Sequence, residues 1–454
     1  MWTVAGLTEQ LASGKVTSRS LVEQALARVA DPAGEGVRAF LKNYAETALA
    51  EAGHSDRLRL AGIVRSPVEG IPVSVKDLYD VGGDVTRAGS KVLDDAAPAA
   101  CDAPAVARLR AAGAVIVGRT NMVEFAFGGV GLNPHYGTPR NPYDRKTGRV
   151  PGGSSSGAAV AVADGMCAMS LGSDTRGSVR LPAALCGVAG FKPTASRVPR
   201  EGAFPLSWTL DSVGPLANSV ACCAAFDAIL AGVSPDPLPV PPVAGLRLMV
   251  PTGFLVEDLD PAVARAFERA LSTLSKAGAL VTEVAAPMLA QSIELYKNGG
   301  FAGAEAYLIH RKRLETRSSG YDPRVAKRVI LARNFTAADY IQLGFERAAF
   351  IRAAQALCAP YDAMVYPTVP AVAPTIAETD KSDDDYFRWN LRLLRNTGLG
   401  NILDGCGATL PCHGPGEAPV GLSVAGFAGA DRRVLAIAHA LERALDPVTQ
   451  RAAR

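Results

Sequence analysis

The chain has 454 residues, of which 48% are hydrophobic, enough for one large core or for two to three domains. Its 47 basic and 44 acidic residues leave a net charge of +3, which gives no long-range field for nucleic acid or an anionic membrane. No stretch reaches the ~18 uninterrupted apolar residues of a membrane-crossing helix; the nearest, Ala158 to Leu171, is too short and is cut by Asp164.

The N-terminus, Met1-Trp2-Thr3-Val4, lacks a basic region followed by an apolar stretch, so no secretory signal is expected. Thr17 or Ser18 caps a predicted helix whose Leu21, Val22, Ala25, Leu26 and Val29 share one face. Ile71, Val73 and Val75 alternate with Pro72 and Ser74 as a strand, with Lys76 at its end. Asp102 to Ala112 reads as a short helix stopped by Gly113, before a buried strand from Ala114 to Val117. The same grammar recurs downstream. Asp260 caps, Pro261 takes the first helical position, Phe267, Leu271 and Leu274 line a face, and Gly278 precedes a strand from Leu280 to Val284. Helix-glycine-strand units of this kind predict an α/β layered fold.

The proline-rich stretch 235–242 fits neither a helix nor a central strand, and it reads as a surface crossing between two halves of one sheet or as a domain linker. Asp383-Asp384-Asp385 is predicted to be an exposed loop. The basic run Arg311, Lys312, Arg313, Arg317, Arg324, Lys327, Arg328 and Arg333 is read as solvated helix faces, with a binding patch as the alternative. The eight cysteines show no Cys-x-x-Cys pairing, which points to reduced thiols in a cytoplasmic protein, and Cys222-Cys223 reads as core filler.

Two serine-rich loops carry the chemistry. The first is Pro151-Gly152-Gly153-Ser154-Ser155-Ser156-Gly157. The second runs from Gly172 to Pro182 and includes Asp174-Thr175-Arg176-Gly177-Ser178. Ser154 and Ser178 are 24 residues apart. A serine hydroxyl needs an adjacent base to act as a nucleophile near neutral pH. Lys76 can be that base if burial keeps it neutral; by position alone it reads as an exposed strand-end lysine. Asp174 and Arg180 flank the second loop and read as a structural pair. Gly153-Ser154-Ser155-Ser156-Gly157 also satisfies the Gly-x-Ser-x-Gly nucleophile elbow. That motif needs a preceding strand, and its histidine would be His310, His413 or His439. His135 and His413 are expected in loops. No metal-ligand spacing or phosphate-binding loop occurs, so no cofactor is expected.

These segments resemble the amidase signature family of Ser-Ser-Lys hydrolases. Supporting matches are Gly118-Arg119-Thr120-Asn121-Met122, 186–194, 210–215 and 418–422, densest over about 70–220. The resemblance implies one large α/β/α domain over 1–454 with a central mixed sheet. It implies Ser178 as nucleophile, Ser154, after a cis peptide bond, as the bridging serine, and Lys76 as base. It also implies an oxyanion hole from the backbone amides of Thr175, Arg176, Gly177 and Ser178. The implied activity is cleavage of a carboxylic amide through a Ser178 ester, releasing ammonia or an amine. The implied partner is a small-molecule amide, with a homodimer as the family-level assembly. An alternative is the A subunit of a glutamyl-tRNA amidotransferase, which shares these residues but works in a complex.

Arg176 departs from the glycine common in the family. It either binds a substrate carboxylate, as in a ureido-, biuret- or malonamate-type hydrolase, or turns away into a local salt bridge. Phe125, Phe127 and Trp208 are candidates for an apolar pocket wall. The pocket itself is expected from 125–133, 204–208 and 396–412.

Overall fold

A computed structural model describes residues 2–446. Among them, eleven strands form one mixed sheet. In chain order these are β1 (Phe40–Asn43), β2 (Pro72–Lys76), β3 (Val115–Thr120), β4 (Met169–Asp174), β5 (Ala189–Lys192) and β6 (Ser212–Ala217), followed by β7 (Arg247–Thr252), β8 (Leu280–Ala285), β9 (Ala363–Pro367), β10 (Cys406–Pro411) and β11 (Gly421–Gly426). Their order across the sheet is β1-β3-β2-β4-β6-β5-β10-β11-β9-β7-β8. β2 runs parallel to both β3 and β4, and β7 runs parallel to β8 and β9. The other ladders are antiparallel.

The central strands are covered on both faces. Val115 and Val117 of β3 join a cluster with Val22, Ala25 and Ala158. Ile116 between them joins a second cluster with Val106 and Phe226. The alternation of Ile71, Val73 and Val75 therefore does not mark a wet face: all five residues of β2 are buried. This is how parallel strands behave between helical layers. The helix Ser156–Ala163 packs on β2 and β4, and its small residues, buried through Val162, permit that close approach. β8 is the exception, an edge strand with no buried residue.

The predicted N-terminal helix forms over Ser18–Ala30, with Thr17 as cap and Leu21, Val22, Ala25 and Val29 buried. Pro104–Ala111 and Pro261–Lys276 form as expected, each with proline in the first turn. Gly113 and Gly278 have φ of 88° and 93°. The stretch 235–242 contains no helix or strand and connects the helix Val220–Ala231 to β7 of the same sheet. Among the described residues, no helix is long and apolar enough to cross a membrane.

Two expectations are corrected. Asp383-Asp384-Asp385 is not a loop but the first turn of the helix Asp383–Leu394, capped by Ser382. Three carboxylates at a helix N-terminus are stabilised by the unpaired amides there. The basic run is not uniformly solvated either. Arg317 pairs with Asp95, and Arg324 pairs with Asp380 and Asp383, but Arg328 turns inward and lines a cavity.

Candidate active site

The parallel neighbours β2 and β4 end side by side, β2 in Lys76 and β4 in Ser173-Asp174. In sheets of this type the crevice at the carboxyl ends of parallel strands is where ligands bind. The loop 151–155 and the loop 175–179 close over that end, and each feeds a buried helix, Ser156–Ala163 and Arg180–Cys186.

Lys76 is wholly buried, with Nζ 2.7 Å from Ser154 Oγ and 2.8 Å from Ser173 Oγ. Burial pushes its ammonium down to about 7, against a smaller opposing pull from Asp211 and Asp174. A large share of the amine is therefore neutral near neutral pH. The Gly153-Ser154 peptide bond is cis. A Cβ on Gly153 would come within 2.9 Å of Val123 Cγ2 and 3.0 Å of Gly131 Cα, so only glycine fits there. The amide of Ser155 donates to the carbonyl of Ser178 at 3.3 Å, which ties the two serine loops together. Ser178 opens into a cavity of about 340 Å³.

Asp174 shapes the second loop. Its carboxylate accepts from the amides of Gly177 (2.7 Å) and Val179 (3.1 Å), from Asn401 Nδ2 (3.0 Å), and from Arg180 Nε (3.1 Å) and Nη2 (2.9 Å). Burial alone would raise this carboxyl, but the Arg180 guanidinium and its hydrogen bonds hold it far below the usual carboxylate range. The Gly177 amide is thus committed to Asp174, which narrows the expected oxyanion donors to Thr175, Arg176 and Ser178. Gly177 itself has φ of 126°, and a Cβ there would meet Thr397 Oγ1 at 2.0 Å. Arg180→Met should leave a buried carboxylate without its cation and cost about 3–5 kcal/mol of stability. Urea unfolding checks this; a loss below about 1 kcal/mol would mean the pair does not hold the loop.

Among the described residues Arg176 has no salt-bridge partner. Its guanidinium lies 3.9 Å from the centroid of the Tyr296 ring, and its buried Nε has no hydrogen-bond partner. Burial lowers it to about 10, so it stays cationic near neutral pH. Arg328 lines the same cavity, stacked 4.1 Å over Phe127 and donating to the Phe127 carbonyl at 2.6 Å. Among the described residues no carboxylate side chain lines this cavity.

The expected pocket segments are corrected in part. Phe127 and Leu206 line the cavity, but Phe125 is a core residue packed on His310 and Phe204. Trp208 lines a different cavity. Residues 396–412 are replaced in the lining by Tyr296, Asn298, Leu331, Asn390 and Leu394. Asn390 and Leu394 come from the helix Asp383–Leu394, and Tyr296, Asn298 and Leu331 from turns at helix ends far along the chain; no local pattern marks them. The nucleophile-elbow reading lacks its strand, because none precedes Ser154 after β3. His310 is buried beside Tyr321 and His135 pairs with the buried Glu124.

The family model described as Amidase matches residues 20–435. The chain is 39% identical to a 2-amino-5-chloromuconic acid deaminase of Comamonas testosteroni, covering 83% of this chain and 82% of that protein. It is 38% identical to AtzE, the 1-carboxybiuret hydrolase subunit of Pseudomonas sp. (strain ADP), covering 82% of each. It is 35% identical to the A subunit of the glutamyl-tRNA(Gln) amidotransferase of Roseiflexus sp. (strain RS-1), covering 98% of this chain and 96% of that protein. With the lysine, the two serines and the mixed sheet in place, the chain belongs to the amidase family, hydrolases that act on amide C–N bonds.

Proposed function

We propose that the protein hydrolyses a small amide bearing a carboxylate, with Ser178 as nucleophile, Ser154 as proton bridge and Lys76 as base. The observation that carries the chemistry is the 2.7 Å contact between Ser154 Oγ and a buried Lys76 whose ammonium is pushed down to about 7. Ser178 Oγ adds to the amide carbonyl as its proton passes to Ser154, whose own proton passes to Lys76. The backbone amides of Thr175, Arg176 and Ser178 are the donors for the developing oxyanion, a contribution of several kcal/mol in such sites. When the C–N bond breaks, the proton returns through Ser154 to the leaving nitrogen. Water then cleaves the ester by the same relay.

The substrate class is supported by two cations, Arg176 and Arg328, in a cavity without a lining carboxylate. The names of two relatives also carry an acid group. Arg176→Met keeps the backbone amide but removes the charge. It should lower kcat/KM about 10- to 150-fold for a carboxylated amide, the loss of a charge-assisted contact of about 1.5–3 kcal/mol. A neutral amide of the same size should be little affected. Equal losses on both would assign Arg176 to loop shape instead. A screen of amides for ammonia release by the purified chain tests the wider reading.

The near full-length match to the amidotransferase protein favours a second reading, in which the site feeds ammonia to a partner. Activity that appears only with partner proteins and tRNA would establish it; turnover by the chain alone supports the free hydrolase. The reading includes a cytoplasmic location and a homodimer, to be checked by cell fractionation and light scattering.

A further inference from the structure

The two hydrogen-bond partners of Lys76 lead to different cavities. Ser154 lies beside the loop of Ser178, held there by the backbone bond from the Ser155 amide to the Ser178 carbonyl, and Ser178 lines the cavity described above. Ser173, 2.8 Å from Nζ, lines a second cavity of about 870 Å³. No residue lines both. The partition includes Thr175, which faces the first cavity and donates its hydroxyl at 2.5 Å to Asp211, which lines the second. Tyr79 and Ser212 also line the second cavity, with their hydroxyls donating to the carbonyls of Gly172 and Asp174. The exposed Glu201 and the half-exposed Trp208 on its lining connect it to solvent.

Once the amine has departed as the neutral base, hydrolysis of the ester leaves one proton over in the site. In deacylation, water adds to the ester carbonyl, the C–O bond to Ser178 breaks, and Ser178 regains its proton. The product acid then ionises, and its proton passes over Ser178 and Ser154 to Lys76. Lys76 ends the turnover as an ammonium while the product carboxylate still occupies the first cavity beside Arg176 and Arg328. The next acylation needs the amine neutral again. The carboxylates whose charge acts on Lys76 are Asp211 and Asp174. Asp174 is engaged by Arg180, and Asp211 by Thr175 and the amides of Leu206 and Ser207. Of the groups bonded to Nζ, Ser173 is the one that opens to a cavity apart from the substrate.

We propose that the second cavity is the proton exit of the relay: Ser173 Oγ takes a proton from the Lys76 ammonium and releases its own hydroxyl proton to water in the cavity. This rests on Lys76 being the base. It separates substrate traffic from proton traffic, so Lys76 can be reset before product leaves.

The test compares the acylation burst with steady-state turnover on a chromogenic carboxylated amide. Ser173→Ala should lower kcat about tenfold or more while the burst rate stays within about twofold, because acylation starts from an already neutral amine. Ser173→Thr, which keeps the hydroxyl, should restore kcat. Imidazole enters through the open cavity as a proton carrier and should rescue Ser173→Ala in a concentration-dependent way. Filling the cavity in the double variant with Ala203→Trp should abolish that rescue. Ala195→Trp serves as a second filling variant, and an unchanged burst amplitude shows that either is folded. If the burst slows in step with kcat and imidazole does nothing, Ser173 only positions Lys76 and the proposal fails. Rescue that survives filling of the cavity sinks it as well. Failure of the base reading is distinct: it shows as turnover retained in Lys76→Ala.

Discussion

Ser178→Ala should lose on the order of 10⁵–10⁶-fold in kcat, because the proposed mechanism forms the ester on Ser178 and leaves residual turnover only to binding and oxyanion contacts. Ser178 lines the cavity of about 340 Å³, and its own carbonyl is bonded by the amide of Ser155, the residue after Ser154. The direct measurement is intact-protein mass spectrometry after mixing with a slow ester substrate or a fluorophosphonate. The adduct should map to Ser178. An adduct on Ser155 would instead revive the nucleophile elbow, although that hydroxyl is buried and 3.4 Å from the Ser173 carbonyl.

Replacing Lys76 should be nearly as severe. Lys76→Ala removes a general base, a loss of about 10²–10⁴-fold at least. Lys76→Arg should fail equally, since a guanidinium stays protonated at any accessible pH. The pH dependence follows from the direction of the shift. Burial lowers the ammonium from its ordinary value to about 7, and the neutral amine is the active form. kcat/KM should therefore rise as pH climbs through about 7 and level off above it. A carboxylate with an ordinary value acting as base would put that limb nearer pH 4, and Asp211, which burial pushes up to about 6, would put it near 6. A limb near pH 4, or one that Asp211→Asn abolishes, would overturn the assignment. Circular dichroism and thermal unfolding of each variant separate loss of chemistry from loss of fold.

Much of this molecule was legible locally. A proline at the first helical turn and a glycine just past the end mark Pro104–Ala111 and Pro261–Lys276, because the constraint that sets each boundary acts within a few residues. Ser154 and Ser178 stand out for the same reason: glycine-rich loops are needed where the backbone approaches closely, and Gly153 and Gly177 have no room for a Cβ. The pairing of Asp174 with Arg180 was readable from six-residue proximity.

Other features depend on chain segments that meet only in the fold. The burial that makes Lys76 a base comes from β3 and β4 on either side of β2 and from the helix Ser156–Ala163 above it, none of which the strand's own pattern specifies. Asp383-Asp384-Asp385 looked like a loop because charge alone cannot distinguish a loop from the first turn of a helix. Arg328 looked solvated like its neighbours, yet it reaches the Phe127 carbonyl, 201 residues away, and lines the site. The candidate reacting groups and the loops that present them are legible in the amino-acid sequence, since these depend on residue type and short-range backbone geometry. The burial that lowers Lys76, the two cations that line the first cavity and the second cavity behind Ser173 come from the tertiary structure, since each depends on which distant side chains exclude water from that point.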